Sequence, residues 1–339
     1  MEFLGDYLGF LAKTITVAVA VVVVLACVFA LRSKGRGARG QLQVSKLNEQ
    51  FQQMREVIEQ AVLPKAEYKS VRKAHEKTLK AQQKAGEAVQ RVYVLDFTGD
   101  IKASATQGLR QEITALLALA RPEDEVVVRL ESGGGLVHSY GLASSQLARI
   151  REAGVPLTVC VDKVAASGGY MMACIGHKII AAPFAVLGSI GVVAQVPNVH
   201  RLLKKNDIDV ELLTAGEYKR TLTMLGENTE KGREKFQEDL DQTHALFKDY
   251  VARYRPQLDI ESVATGEVWL GIAAQQKGLV DELKTSDQYL MERAQHAELF
   301  HLRYSQRKGL PERIGLAASA ALDRTVLNWL GRLSQQRFW

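Results

Sequence analysis

Leu157-Thr158-Val159-Cys160-Val161 runs into Ala165-Ala166-Ser167-Gly168-Gly169-Tyr170-Met171-Met172-Ala173-Cys174. The first segment is β-branched and apolar, as in a buried strand, and Tyr170 to Cys174 has helical spacing, so Ser167 is predicted to open a helix. The N–H groups of a helix start have no partner within the helix, and small neighbours let another backbone come close. Such a position suits a nucleophile. A helix-capping serine with glycines for tight packing is the plain structural alternative.

The same alternation extends in both directions. Arg91 to Phe97 and Glu125 to Leu130 read as strands, Leu109 to Leu119 and Val137 to Glu152 as helices, and Glu131-Ser132-Gly133-Gly134-Gly135-Leu136 as a glycine-rich turn between strand and helix. Downstream, Lys178 to Ala182 and Val210 to Thr214 are predicted strands, and a helix is expected from near Thr229 to about Tyr254. Strands alternating with helices imply parallel crossovers and an α/β fold. The glycine turn can aim backbone N–H groups at an anion. It has neither the lysine-serine pair of a phosphate loop nor dinucleotide-binding glycine spacing. The apolar run Ile179 to Val196 contains Pro183, Gly188 and Gly191, which favour a buried strand and loop over a membrane span.

The chain has 339 residues, 47% hydrophobic and 24% charged, enough for a sizeable core. Lys+Arg 44 against Asp+Glu 38 gives a net charge of +6. This mild excess comes largely from the N-terminal third and lacks interleaved aromatics, so nucleic acid is not an expected partner. Cys27, Cys160 and Cys174 sit in apolar surroundings without metal-ligand spacing and read as small buried hydrophobes.

Thr14 to Leu31 carries no charge and is about long enough to cross a bilayer. No basic region precedes it and Arg32-Ser33-Lys34 follows it, so an uncleaved anchor is favoured over a signal peptide. Arg32, Lys34, Arg36 and Arg39 after the span, against Glu2, Asp6 and Lys13 before it, place the bulk of the chain in the cytoplasm. Between Gln41 and Gln90, apolar residues at helical intervals and a break at Pro64 predict two amphipathic helices, the second strongly basic. A solvated stalk or subunit contact is the first reading of that stretch, and an anionic lipid surface also suits its lysines.

Four pieces stand in an order that resembles the signal peptide peptidase A family: Ser132-Gly133-Gly134-Gly135, Ala165 to Tyr170, Gly188-Ser189-Ile190-Gly191-Val192 and Gly216-Glu217-Tyr218-Lys219. A fifth, Gly266 to Gly271 followed by Gly278-Leu279-Val280-Asp281, matches the family's closing segment. The resemblance implies a ClpP/crotonase-type fold and a serine peptidase of the bacterial inner membrane. In it Ser167 is the nucleophile, Lys219 the general base and Ser189 the residue orienting Lys219. Backbone N–H groups of Gly135 and Gly168, with Gly134 nearby, would form the oxyanion hole. The family's usual Ser-Pro-Gly-Gly is Ser132-Gly133-Gly134-Gly135 here, so the loop lacks a proline restraint. On the residues alone, a surface lysine is ordinarily solvated. Lys219 must be desolvated before it can accept a serine proton.

The expected organisation is an anchor at 1–31, a basic helical extension at 32–90, a peptidase domain at 91–300 and an amphipathic C-terminal tail at 301–339. The resemblance implies a homo-oligomer that acts on peptide or protein substrates, is bound to lipid and needs no cofactor. Membrane-associated polypeptides and signal-peptide remnants are the implied substrates. A crotonase-type acyl-CoA enzyme and a non-catalytic membrane scaffold are the alternatives on the same fold.

Overall fold

The computed structural model describes residues 40–85 and 89–305. The expected anchor at 1–31 lies outside the described residues, as does the expected tail beyond residue 305. Among the described residues no helix is long and apolar enough to cross a membrane.

Leu42–Arg303 forms one compact unit. In chain order the elements are β1 (Gln41–Lys46), α1 (Leu47–Val62), α2 (Lys65–Ala85), β2 (Gln90–Thr98), α3 (Thr106–Leu117), β3 (Glu125–Glu131), α4 (Val137–Glu152), β4 (Leu157–Val161), β5 (Val164–Ala166) and α5 (Gly168–Ala173). There follow β6 (Lys178–Ala181), β7 (Val186–Gly188), α6 (His200–Lys205), α7 (Glu230–Tyr254), α8 (Ile260–Val263), β8 (Val268–Leu270), α9 (Gly271–Gln276), β9 (Glu282–Leu283), α10 (Ser286–Arg293) and β10 (Ala297–Ser305).

The fold is mixed α/β. Seven strands form one sheet in the order β1-β10-β2-β3-β4-β6-β9, and every pair from β10 to β9 is parallel. A sheet covered on both faces needs apolar residues at successive positions, which is why Val92, Tyr93, Val94 and Leu95 are all buried. Alternate side chains serve two cores. Tyr93, Leu95 and Phe97 join the larger one under α3, α4 and α5, whereas Val92 and Val94 meet Leu47 of α1 and Leu290 of α10.

A smaller sheet, β5-β7-β8, positions the site. The glycine turn after β3 is tied to it, because Ser132 N–H donates to Val164 O at 2.9 Å and Ala166 N–H donates to Ser132 O at 3.0 Å. Those two bonds hold the turn against the strand that leads into Ser167.

One expected element is absent. Val210 to Thr214 is not a strand, and every residue from 204 to 220 is exposed. The alternation of Val210 and Leu212 suits a strand, but strand structure needs a partner backbone and a buried face, and among the described residues this segment has neither. The helix behind it does form, with Thr229 capping α7 by accepting a hydrogen bond from Gly232 N–H.

Candidate active site

Ser167 stands between β5 and α5 with φ +52° and ψ −120°, a backbone conformation that costs a non-glycine residue about 1–3 kcal/mol. It is held there from both sides. Its N–H donates to Gly188 O at 2.8 Å and its carbonyl accepts from Met171 N–H at 2.9 Å. Ser189, the residue after that acceptor, also has positive φ, +53°, and its N–H donates to Glu267 O at 2.6 Å. Strain of this kind persists only where the surrounding bonds over-determine it.

Both serines line one cavity of about 770 Å³. Gly133, Gly134, Gly135 and Gly168 line it too. At Gly134 the backbone has φ +88°, and a Cβ there would lie 2.7 Å from Gly168 N and 2.8 Å from Ser167 Cβ. A side chain at Gly168 would strike the Tyr140 ring at 2.4 Å, and one at Gly135 would strike Ile101 O at 2.2 Å. The turn and the helix start therefore approach each other more closely than side chains allow. Gly168 N–H belongs to the first turn of α5, where intrahelical acceptors are lacking.

The glycine turn has a restraint that the sequence did not reveal. Gly134 N–H donates to Ser132 Oγ at 3.1 Å, Ser132 Oγ and Tyr140 Oη are 2.5 Å apart, and Tyr140 Oη donates to Asp100 O at 2.8 Å. Because the phenol has a single hydrogen, the serine hydroxyl is the donor between them. Burial raises the Tyr140 pKa above the ordinary phenol value, so the relay keeps its protons at neutral pH. This chain holds the turn where a proline is missing. It was not visible in sequence because Tyr140 reaches an acceptor 40 residues away.

The cavity's larger apolar lining comes from Met171 of α5, Val192, and Leu246, Phe247 and Tyr250 of α7. Thr243, Leu246, Phe247 and Tyr250 repeat at helical spacing, a signal masked by the many charges of α7.

Lys219 is not part of this cavity in the single chain. It lies exposed in a turn, its N–H donating to Gly216 O at 3.2 Å. Thus Ser167, Ser189, Gly134, Gly135 and Gly168 come together, and Lys219 stays apart. Among the described residues no histidine lines the cavity. Cys160 and Cys174 are buried free thiols, and burial pushes Cys174 up to about 12, so neither offers a thiolate.

A half-buried, strained serine between a strand end and a helix start, beside glycine-turn backbone, is an arrangement that suits a nucleophile, and sequence relationships point to a hydrolase. Residues 2–147 match the N-terminal region of peptidase family S49 and residues 149–300 match peptidase family S49 itself; the chain belongs to this family of peptidases. It is 45% identical to the probable protease SohB of Haemophilus influenzae over 99% of this chain and 98% of that protein. It is also 45% identical to the probable protease SohB of Buchnera aphidicola over 86% and 100% of the two chains. Protease 4 of Salmonella typhi is 30% identical over 53% of this chain and 30% of that protein. The solved 1510-N membrane-bound stomatin-specific protease aligns at 13% identity over 67% of this chain and 97% of that one, with a TM-score of 0.41. That likeness is too distant to carry mechanism.

Proposed function

We propose that this peptidase is a membrane-bound serine endopeptidase of ClpP/crotonase type, with Ser167 as nucleophile and Lys219 as general base. The observation that carries the reading is the strained backbone of Ser167 beside the glycine turn. Neutral Lys219 takes the Ser167 proton, and the alkoxide attacks the peptide carbonyl. The N–H groups of Gly135 and Gly168 then hold the oxyanion, with Gly134 admitting it closely; losing one such donor typically costs about 3 kcal/mol. The protonated amine next supplies the leaving amine's proton, and water activated by the same lysine hydrolyses the acyl-enzyme. Ser189 orients Lys219.

Lys219 has to reach the cavity from its exposed segment, and we propose that it does so in a homo-oligomer. What supports this is the apolar surface left in water from Val193 to Leu213, including Val193 at 91%, Leu202 at 60% and Leu213 at 88% exposure. Burial against another subunit would also strip the amine of water, which makes the neutral form accessible. Residues 1–31 are proposed to anchor the enzyme in a bacterial inner membrane, 32–90 to form the extension, 91–300 the catalytic domain and 301–339 a tail. The catalytic domain is proposed to face the cytoplasm, with membrane-associated polypeptides or signal-peptide remnants as substrates.

The test uses the full chain purified in detergent. A fluorophosphonate probe should label Ser167, and labelling and peptide hydrolysis should both vanish in Ser167→Ala and Lys219→Ala while the assembly keeps its size. Full hydrolysis by Lys219→Ala would refute the dyad. Cleavage of the domain by protease acting from the periplasmic side of sealed, right-side-out vesicles would refute the cytoplasmic assignment.

A further inference from the structure

Gly141 lies inside α4, where glycine costs about 1 kcal/mol relative to alanine. The glycines nearer Ser167 are explained by close approach: side chains at Gly134, Gly135 and Gly168 would collide with backbone or with the Tyr140 ring. Gly141 is different. A Cβ built on it meets nothing within 4 Å. The open space there is the cavity, because Gly141 lines it together with Val137 one turn before and Ser145 one turn after. Ser145 turns its hydroxyl hydrogen back to Gly141 O at 2.8 Å, so this wall directs no hydroxyl donor into the cavity. Leu246, Phe247 and Tyr250 of α7 line the same cavity.

We propose that Gly141 determines the side-chain specificity of the site. Its missing side chain leaves a recess between α4 and α7 for a large aliphatic or aromatic side chain of the peptide, of leucine or phenylalanine size, on the acyl side of the scissile bond. A side chain at position 141 would fill the recess and restrict the enzyme to small residues such as alanine. The inference rests on the peptidase reading above and names its substrate class. The helix accepts a poor former at this position because the space is needed by substrate.

The experiment compares the unchanged full chain, Gly141→Ala and Gly141→Leu in detergent on peptides that differ only in having Ala, Leu or Phe before the cleaved bond. The ratio of kcat/KM for the Leu peptide to that for the Ala peptide should fall stepwise, reaching at least about tenfold for Gly141→Leu, since one methylene in an apolar pocket is worth about 10–200-fold. General damage to folding lowers both rates and leaves the ratio alone. An equal ratio in all three proteins overturns the proposal. Binding of fluorescein-labelled Leu and Ala peptides, read by anisotropy in the Ser167→Ala background, separates the pocket from the chemistry. If the unchanged chain cleaves no peptide, the peptidase reading fails and the binding ratio alone decides. At least a tenfold selective loss of the Leu peptide on Gly141→Leu upholds the pocket, whereas equal affinities, or no binding of either peptide, overturn it.

Discussion

Two residues beside the proposed nucleophile make separable predictions. Gly134→Ala puts a methyl 2.7 Å from Gly168 N on a backbone with φ +88°, so the turn must move away from Ser167. We expect kcat to fall by at least about 100-fold with the melting temperature much less affected, as for loss of an oxyanion contact. Tyr140→Phe removes the hydroxyl between Ser132 Oγ and Asp100 O, leaving the buried Ser132 hydroxyl without its acceptor at about 1–3 kcal/mol. Urea denaturation should show that loss. The turn, freed of its relay, should lower kcat more than it raises KM. Ser167 was legible because its small neighbours adjoin it in sequence. Tyr140 was not, since a tyrosine on a helix face looks like ordinary core until its hydroxyl is seen to bridge two loops.

Among the elements, the closing segment illustrates a fixed junction and the segment before α7 an unfixed one. Arg255, at the end of α7 and 3% exposed, makes two bonds to Asp281, at 2.8 and 2.7 Å, and one to Gly278 O at 3.0 Å. Asp281 Oδ2 also accepts from Ile179 N–H at 2.7 Å, so one carboxylate joins α7 to β6. Asp281→Ala leaves a buried guanidinium without its partner and should cost about 3–5 kcal/mol by urea denaturation. Asp281 was quoted in sequence only as part of a closing signature; its bond to β6 spans 102 residues and has no local sign. Conversely, Val210 to Thr214 had a local sign of strand and, among the described residues, no tertiary partner to realise it. Periodicity reports a capacity to be buried on one face, and burial itself requires a second surface.

Across the whole molecule, parallel strands distant in sequence are joined by charge. Asp96 on β2 takes two bonds from Arg129 on β3, at 2.6 and 2.9 Å, and lies 3.0 Å from His301 Nε2 on β10. Burial acts to raise its pKa, but the hydrogen bonds from His301 and Arg129 outweigh that and hold it at about 2. A carboxyl depressed in the folded state stabilises the fold above its unfolded pKa, near 3.9, and that contribution is lost as pH falls toward 2. The melting temperature should therefore drop between pH 4 and 2, and Asp96→Asn should lower it at pH 6 while flattening its slope across that acid range. A steep slope retained in Asp96→Asn would assign the acid sensitivity elsewhere. The alternation of strand and helix, the glycine turn, and the serine before a helix were determined by the sequence itself, since periodicity, backbone freedom and helix starts depend on neighbouring residues. The convergence of α4 and α7 on Ser167 and the pinning of the turn by Tyr140 were decided only by the tertiary structure, as was the exposure of Lys219. Those features depend on surfaces brought together across tens to hundreds of residues, as when Tyr170 Oη donates to Leu279 O, 109 positions away.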